Sequence, residues 1–338
     1  MADQQNEGQI TLVRVPRKVV IPDEFREATA RDQGTEYFQS FHFGTLVNYG
    51  HPLAAFEEAI HVLAECKSVD EVAYDKIHKG GPYYWLGMAA FIAKDYETAV
   101  YFMDAAVSQD LRRDENNLET PALLFIQLRG GHPAQAAKHL VEHAESQMAA
   151  LVHVYNSLSG RPPAVPDLSL QDLRSLFLLE SLRKSNSAWR SLATALISFV
   201  LEYDLRALQR DLVLSPSSFE PFLLHLFKGC ILLESLVKLN PKSKPPGNTL
   251  WPALDYVKGH LGLGTVPQLS AAHLQDVINQ LKSLPPTIQA AIEVAGKTRN
   301  TTGHSIGWEI TITVEEYEKL YQCIGAACLH TIACLYRV

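Results

Sequence analysis

The stretch YYWLGMAAFIAKDYETAVYFMDAAVSQD, residues 83–110, decides how the chain is read. Its apolar residues recur at helical rather than alternating spacing, and one short polar break, Lys94-Asp95, divides it in two. Small residues Gly87, Ala90, Ala99 and Ala106 stand where two helices would approach closely, with Leu86, Tyr96 and Met103 filling between them. The stretch therefore reads as a helical hairpin. Alternating patterns are scarce elsewhere, with one short strand expected at ITLVRV, Ile10–Val15. The expected class is all-α.

Working outward, Leu53, Phe56, Ile60 and Leu63 fall at helical spacing before the hairpin. A second hairpin is expected from Pro121 through Gly130-Gly131-His132-Pro133 to Ala149. A small residue inside the first helix, an aromatic at the turn and alanines on the second helix resemble a tetratricopeptide (TPR) hairpin. The resemblance covers about one repeat, and Leu111 stands where the repeat-closing proline belongs. It implies a TPR-like region able to dock a protein partner through residues 83–110.

RPPAVPD (Arg161–Asp167) and Ser215-Pro216-Ser217-Ser218 interrupt the helical pattern. They divide the chain into an N-terminal extension at 1–50, TPR-like hairpins at 51–160, connecting helices at 161–216 and a helical domain at 217–338. Further helices are predicted at Leu170–Leu182, Trp189–Leu214, Phe222–Leu239, Trp251–His260, Ala271–Leu284, Pro286–Thr302 and Val314–Tyr336. Ser217 or Ser218 is the expected N-cap of the helix carrying Pro221 in its first turn.

Hydrophobic residues make up 47% and charged residues 20% of the 338 residues, enough for real cores. A net charge of −7 argues against a basic coat for duplex DNA. A local basic cleft for RNA stays open, with Lys282, Lys297 and Arg299 close in sequence. The opening MADQQNEGQITLVRVPRK lacks a signal-peptide core, and the longest uncharged apolar run is Tyr83–Ala93. A cytoplasmic protein without a membrane span is expected. Cys66, Cys230, Cys323, Cys328 and Cys334 contain no C-x-x-C pair and mostly read as core residues in a reducing compartment.

Two motifs are set aside. HLVEH (His139–His143) fits H-x-x-E-H, but no third ligand helix follows, so no metal is expected. GHLGLG (Gly259–Gly264) has the wrong glycine order for a phosphate loop, and no strand precedes it.

RNTTGH, residues 299–304, holds the chemistry. The helix before it carries the stripe Ile288, Ala291 or Ile292, and Ala295, which continues onto Arg299. An arginine on an inward stripe needs a partner. Glu234, on a helix apolar nearly all round, supplies one, so a Glu234–Arg299 contact is predicted. On an ideal helix Arg299 and His304 point about 140° apart. They converge only if the helix loosens, which Gly303 permits.

R-N-x-x-G-H before a final long helix, with KGCILLESLVK upstream, resembles the R-x(4–6)-H motif and acidic helix of HEPN domains. The resemblance covers residues 217–338. It implies metal-independent RNA cleavage, without a cofactor, in a homodimer whose two Arg/His pairs share one cleft, often in defence or stress response. Arg299, Asn300 and His304 would be catalytic, Glu234 and Gly303 supporting, and Lys297 and Lys282 RNA-binding. Ile306 stands where HEPN toxins silenced by a nucleotidyltransferase carry tyrosine, so adenylylation of that kind is not expected. The other reading open here is a helical scaffold that binds a protein partner and dimerises through a HEPN-like domain.

Overall fold

The structure is a computed structural model that describes residues 43–130, 135–183, 187–213, 218–246, 249–264, 269–302 and 310–337. The strand expected at Ile10–Val15 lies outside them. Every regular element among the described residues is helical, and the single backbone bridge is the isolated pair Ser159–Thr287. None of the described helices is long and apolar enough to cross a membrane.

The N-terminal half contains α1 (Phe43–Asn48), α2 (Pro52–Val69), α3 (Glu71–Lys76), α4 (Gly80–Ile92) and α5 (Tyr96–Arg113). Asp70 ends α2 and caps α3, accepting from Ala73 N at 2.9 Å. Helices α4 and α5 are the predicted hairpin. Lys94 takes a left-handed φ of +64°, Lys94 N donates to Phe91 O, and Asp95 N reaches back to Ala90 O. Those two bonds close the orphan carbonyls of α4. Asp95 then caps α5 through Thr98 N at 3.1 Å, so three residues stop one helix and start the next. Gly87 lets the helices close up, since a Cβ there would stand 3.1 Å from the Ala99 carbonyl oxygen.

The segment expected to form a second hairpin gives two helices, α6 (Pro121–Ile126) and α7 (Gln135–Ser157), but they do not pack along each other as a hairpin would. Helix α6 ends with the same bond pair, Leu128 N to Phe125 O and Arg129 N to Leu124 O. Here the left-handed residue is Leu128, φ +51°, and its side chain is buried.

The helix predicted at Leu170–Leu182 is interrupted. It runs as α8 (Leu170–Leu173), a π-helical turn Arg174–Leu178, and α9 (Leu179–Arg183). Arg174, at the start of the wide turn, is tied to the carbonyls of Gln127 and Leu128 and to Glu145. Then come α10 (Ser187–Leu212), α11 (Glu220–Lys238), α12 (Leu250–Val257), α13 (Leu274–Gln280), α14 (Ile288–Thr302) and α15 (Val314–Leu335). Helix α13 starts later than expected because the Asp276 carboxylate takes Ala272 N and His273 N, and it ends at Gln280 rather than Leu284. The N-cap of α11 is Phe219 rather than a serine, although Ser218 Oγ does accept from Glu220 N at 3.1 Å.

Helices α11 and α15 run side by side in the same direction. The pairs His225–Tyr317, Gly229–Cys328 and Leu236–Tyr336 hold them along their length. Helix α10 runs oppositely, with Tyr203 stacked on Tyr321 and Trp189 against Tyr336. One buried cluster extends from Val47 to Tyr336, so the segments divided at 161 and 217 share a single interior. Two histidines are sealed inside it. His225 Nε2 donates to Phe199 O at 2.7 Å and accepts at Nδ1 from Tyr317 OH at 2.6 Å. Burial lowers its pKa to about 4, keeping the ring neutral. His330 repeats the arrangement with Leu261 O and Tyr155 OH.

Candidate functional site

The candidate site lies where α14 meets α11. On α14, Ile288, Ala291, Ile292 and Ala295 are all buried, and the stripe carries Arg299 toward the core at the helix end. On α11, Leu232, Leu233, Leu236 and Val237 are buried around Glu234, whose side chain is 9% exposed. A carboxylate held that deep needs charged donors. Arg299 Nε supplies one at 2.8 Å from Oε2, the predicted contact, and Lys238 Nζ supplies a second at Oε1. One carboxylate thus serves two cations. The Arg299 side chain is 27% exposed, and its two Nη groups hydrogen-bond no described residue. Its charge also reaches Cys230, whose thiol is held well above the usual range first by burial, with Arg299 opposing.

Other expected site residues are placed as follows. Asn300 is half-buried in the last turn of α14, and Lys297 is half-buried one turn earlier. Lys282 is exposed and pairs with Glu316 at 3.7 Å in the first turn of α15. Glu234 stands near the other end of that helix, where Tyr336 OH bonds Leu236 O. With 22 residues in α15, about 30 Å at 1.5 Å each separates the two ends, so the structure does not bring Lys282 to Arg299. Gly303 and His304 lie outside the described residues.

Two polar residues here were not singled out from the sequence. Lys238 was legible as a lysine four positions after Glu234 on one helix face. Glu293, one helical face with Lys297 and Asn300, is the other. It is 3% exposed, its Oε1 has no hydrogen-bond partner, and burial raises its pKa to about 7 against the opposing charge of Lys297.

The HLVEH side chains separate. His139 and Glu142 face each other at 3.6 Å on the surface, while His143 turns to Asp204 at 3.4 Å. No group of metal-ligand type is assembled among the described residues. In GHLGLG, Gly262 adopts φ +62° against Pro162, and the Leu261 carbonyl is taken by His330.

No family model, curated protein or solved structure matches this chain.

Proposed function

We propose that the protein is a metal-independent endoribonuclease of the HEPN type, acting in the cytoplasm as a homodimer, in defence or stress response. Residues 217–338 form its HEPN-like domain and residues 51–160 a TPR-like region that regulates it. The observation that carries this reading is the geometry of Arg299. Its Nε is committed to Glu234 while the Nη edge is left for a ligand, the edge that binds a phosphate bidentately. Glu234 is shared with Lys238 and so does not serve Arg299 alone, which favours an anion on the arginine.

In this mechanism Arg299 holds the scissile phosphate and stabilises the charge gained in the transition state. His304 moves the proton of the attacking 2′-OH, a task for which an imidazole side chain is suited. Asn300 positions the reacting groups, and Glu234 positions Arg299. The products are a 2′,3′-cyclic phosphate and a 5′-OH. Leu224 and Ile231 stand exposed on the outer face of α11, the helix that carries Glu234, with Leu239 exposed just past its end, which supports a second copy packing there.

The test is cleavage of single-stranded RNA in EDTA. Arg299→Ala and His304→Ala should each abolish it while remaining folded and dimeric. Glu234→Gln, a positioning change, should lower kcat more than it raises KM. Active Arg299→Ala or His304→Ala protein refutes the assignment. A folded, RNA-inert wild-type dimer would instead favour the scaffold reading, which the exposed Tyr101 on the outer side of α5 supports.

A further inference from the structure

A second site lies apart from Arg299, in a cavity between the end of α7, the Leu281–Thr287 connection, α14 and α15. Its volume is about 340 Å³, within the range of roughly 300–1,000 Å³ found for small-molecule sites. Leu158, Leu281, Leu284 and Val154 give it apolar walls.

The rim is fixed in place. Ser159 N donates to Pro286 O at 3.0 Å, and Ile288 N donates to Ser159 O at 3.0 Å, stitching the connection to the end of α7. Pro285 and Pro286 hold their own φ angles, which stiffens the same wall. On the facing side α14 presents only Ala290 and Ala291, so no side chain from that helix fills the space.

Among these walls stands one charged group, Lys319 of α15, which is half-buried. Its ammonium has no carboxylate within 4.0 Å among the described residues. The acids before it on α15 face other groups: Glu315 bonds Thr313, Glu316 pairs with Lys282, and Glu318 accepts from Gln322 at 2.9 Å. A partly desolvated cation over an apolar cavity favours a ligand with one negative head and an apolar body. An amine head would be repelled, and a neutral head would leave Lys319 unpaired.

We propose that this cavity binds a small amphipathic carboxylate, its short acyl chain against Leu158, Leu281 and Leu284 and its head group on Lys319. Cys323 lines the same cavity and is half-buried where the other four cysteines are buried, which makes it a built-in reporter. Burial pushes its thiol up to about 11, so it reacts slowly and reports access rather than acting as a nucleophile.

Octanoate titrated into the full chain by calorimetry should bind one to one, with Kd on the order of 1 mM or tighter. Lys319→Met should weaken it about tenfold or more, Lys319→Arg should retain it, and octylamine should bind far more weakly. Octanoate should slow iodoacetamide labelling of Cys323. Ala290→Phe, at a half-buried position that tolerates bulk better than Ala291, should remove both binding and protection. Unsaturable octanoate binding, undiminished affinity in folded Lys319→Met or Ala290→Phe protein, or unprotected Cys323 would each overturn the assignment.

Discussion

Replacing Glu293 with glutamine should stabilise the protein at neutral and alkaline pH and leave it unchanged in acid. The glutamate is 3% exposed with an unpartnered Oε1, and burial raises its pKa from 4.5 to about 7. Below pH 4.5 the carboxyl is protonated in folded and unfolded chains alike, so its burial is tolerated. Between 4.5 and 7 the folded chain keeps a proton that the unfolded chain has lost, and stability falls as pH rises. A shift of about 2.5 units corresponds to about 3 kcal/mol, which screening near the surface-reaching Lys297 reduces to about 2 kcal/mol.

The wild-type pH profile alone will not reveal this. His225 has the opposite sign: with its pKa lowered from 6.5 to about 4, its contribution is present above 6.5 and lost as pH falls toward 4. His330 is lowered in the same direction, so the histidines oppose the glutamate's slope between 4.5 and 6.5 and mask it in the wild-type profile. The informative quantity is therefore the difference between Glu293→Gln and wild type, from urea unfolding at matched m-values across that range and up to about pH 8. The advantage of the variant should grow from near zero to about 2 kcal/mol. A variant less stable than wild type at about pH 8, or one offset by the same amount at every pH, refutes the reasoning.

Two further stability measurements probe the fold. Gly229→Ala places a Cβ against the Phe199 ring and 2.7 Å from Ile324 Cγ2, so it should cost about 1–3 kcal/mol by overpacking in urea unfolding. Lys94→Gly removes a side chain from an exposed residue at φ +64° and should raise the unfolding free energy by about 1 kcal/mol; Lys94→Ala, which keeps a Cβ there, should not.

The hairpin at 83–110 was legible because two signals coincided: helical spacing on both sides and small residues where the helices touch. Gly87 against Ala99 is the contact those signals imply. Its turn was located by polarity at Lys94-Asp95, yet nothing in those two residue types announces a left-handed backbone. The next turn was harder. The glycines at 130 and 131 suggested the break, but α6 already ends at Ile126, and the left-handed residue that closes it is the buried Leu128. There tertiary packing overrides backbone preference, and a local reading has no access to it. The π-turn at Arg174–Leu178 escaped for a similar reason, since Arg174 is tied to the distant residues Gln127, Leu128 and Glu145.

The same distinction applies at Arg299. A charge on an apolar stripe is a contradiction that only a partner resolves, and that contradiction pointed from Arg299 to Glu234 across 65 residues. The sharing of Glu234 with Lys238 was equally present in the sequence as an i,i+4 pair, but such pairs are ordinary on helix surfaces and carry little information. Its consequence is larger than its signal. An arginine paired alone with a glutamate forms a neutral unit, with little reason to attract a phosphate. With Lys238 on the other carboxylate oxygen, Glu234 is shared between two cations, while it still holds Arg299 by its Nε alone. Glu234 is thereby a support for the arginine and not its neutraliser, and the unspent Nη edge is where anion binding is expected.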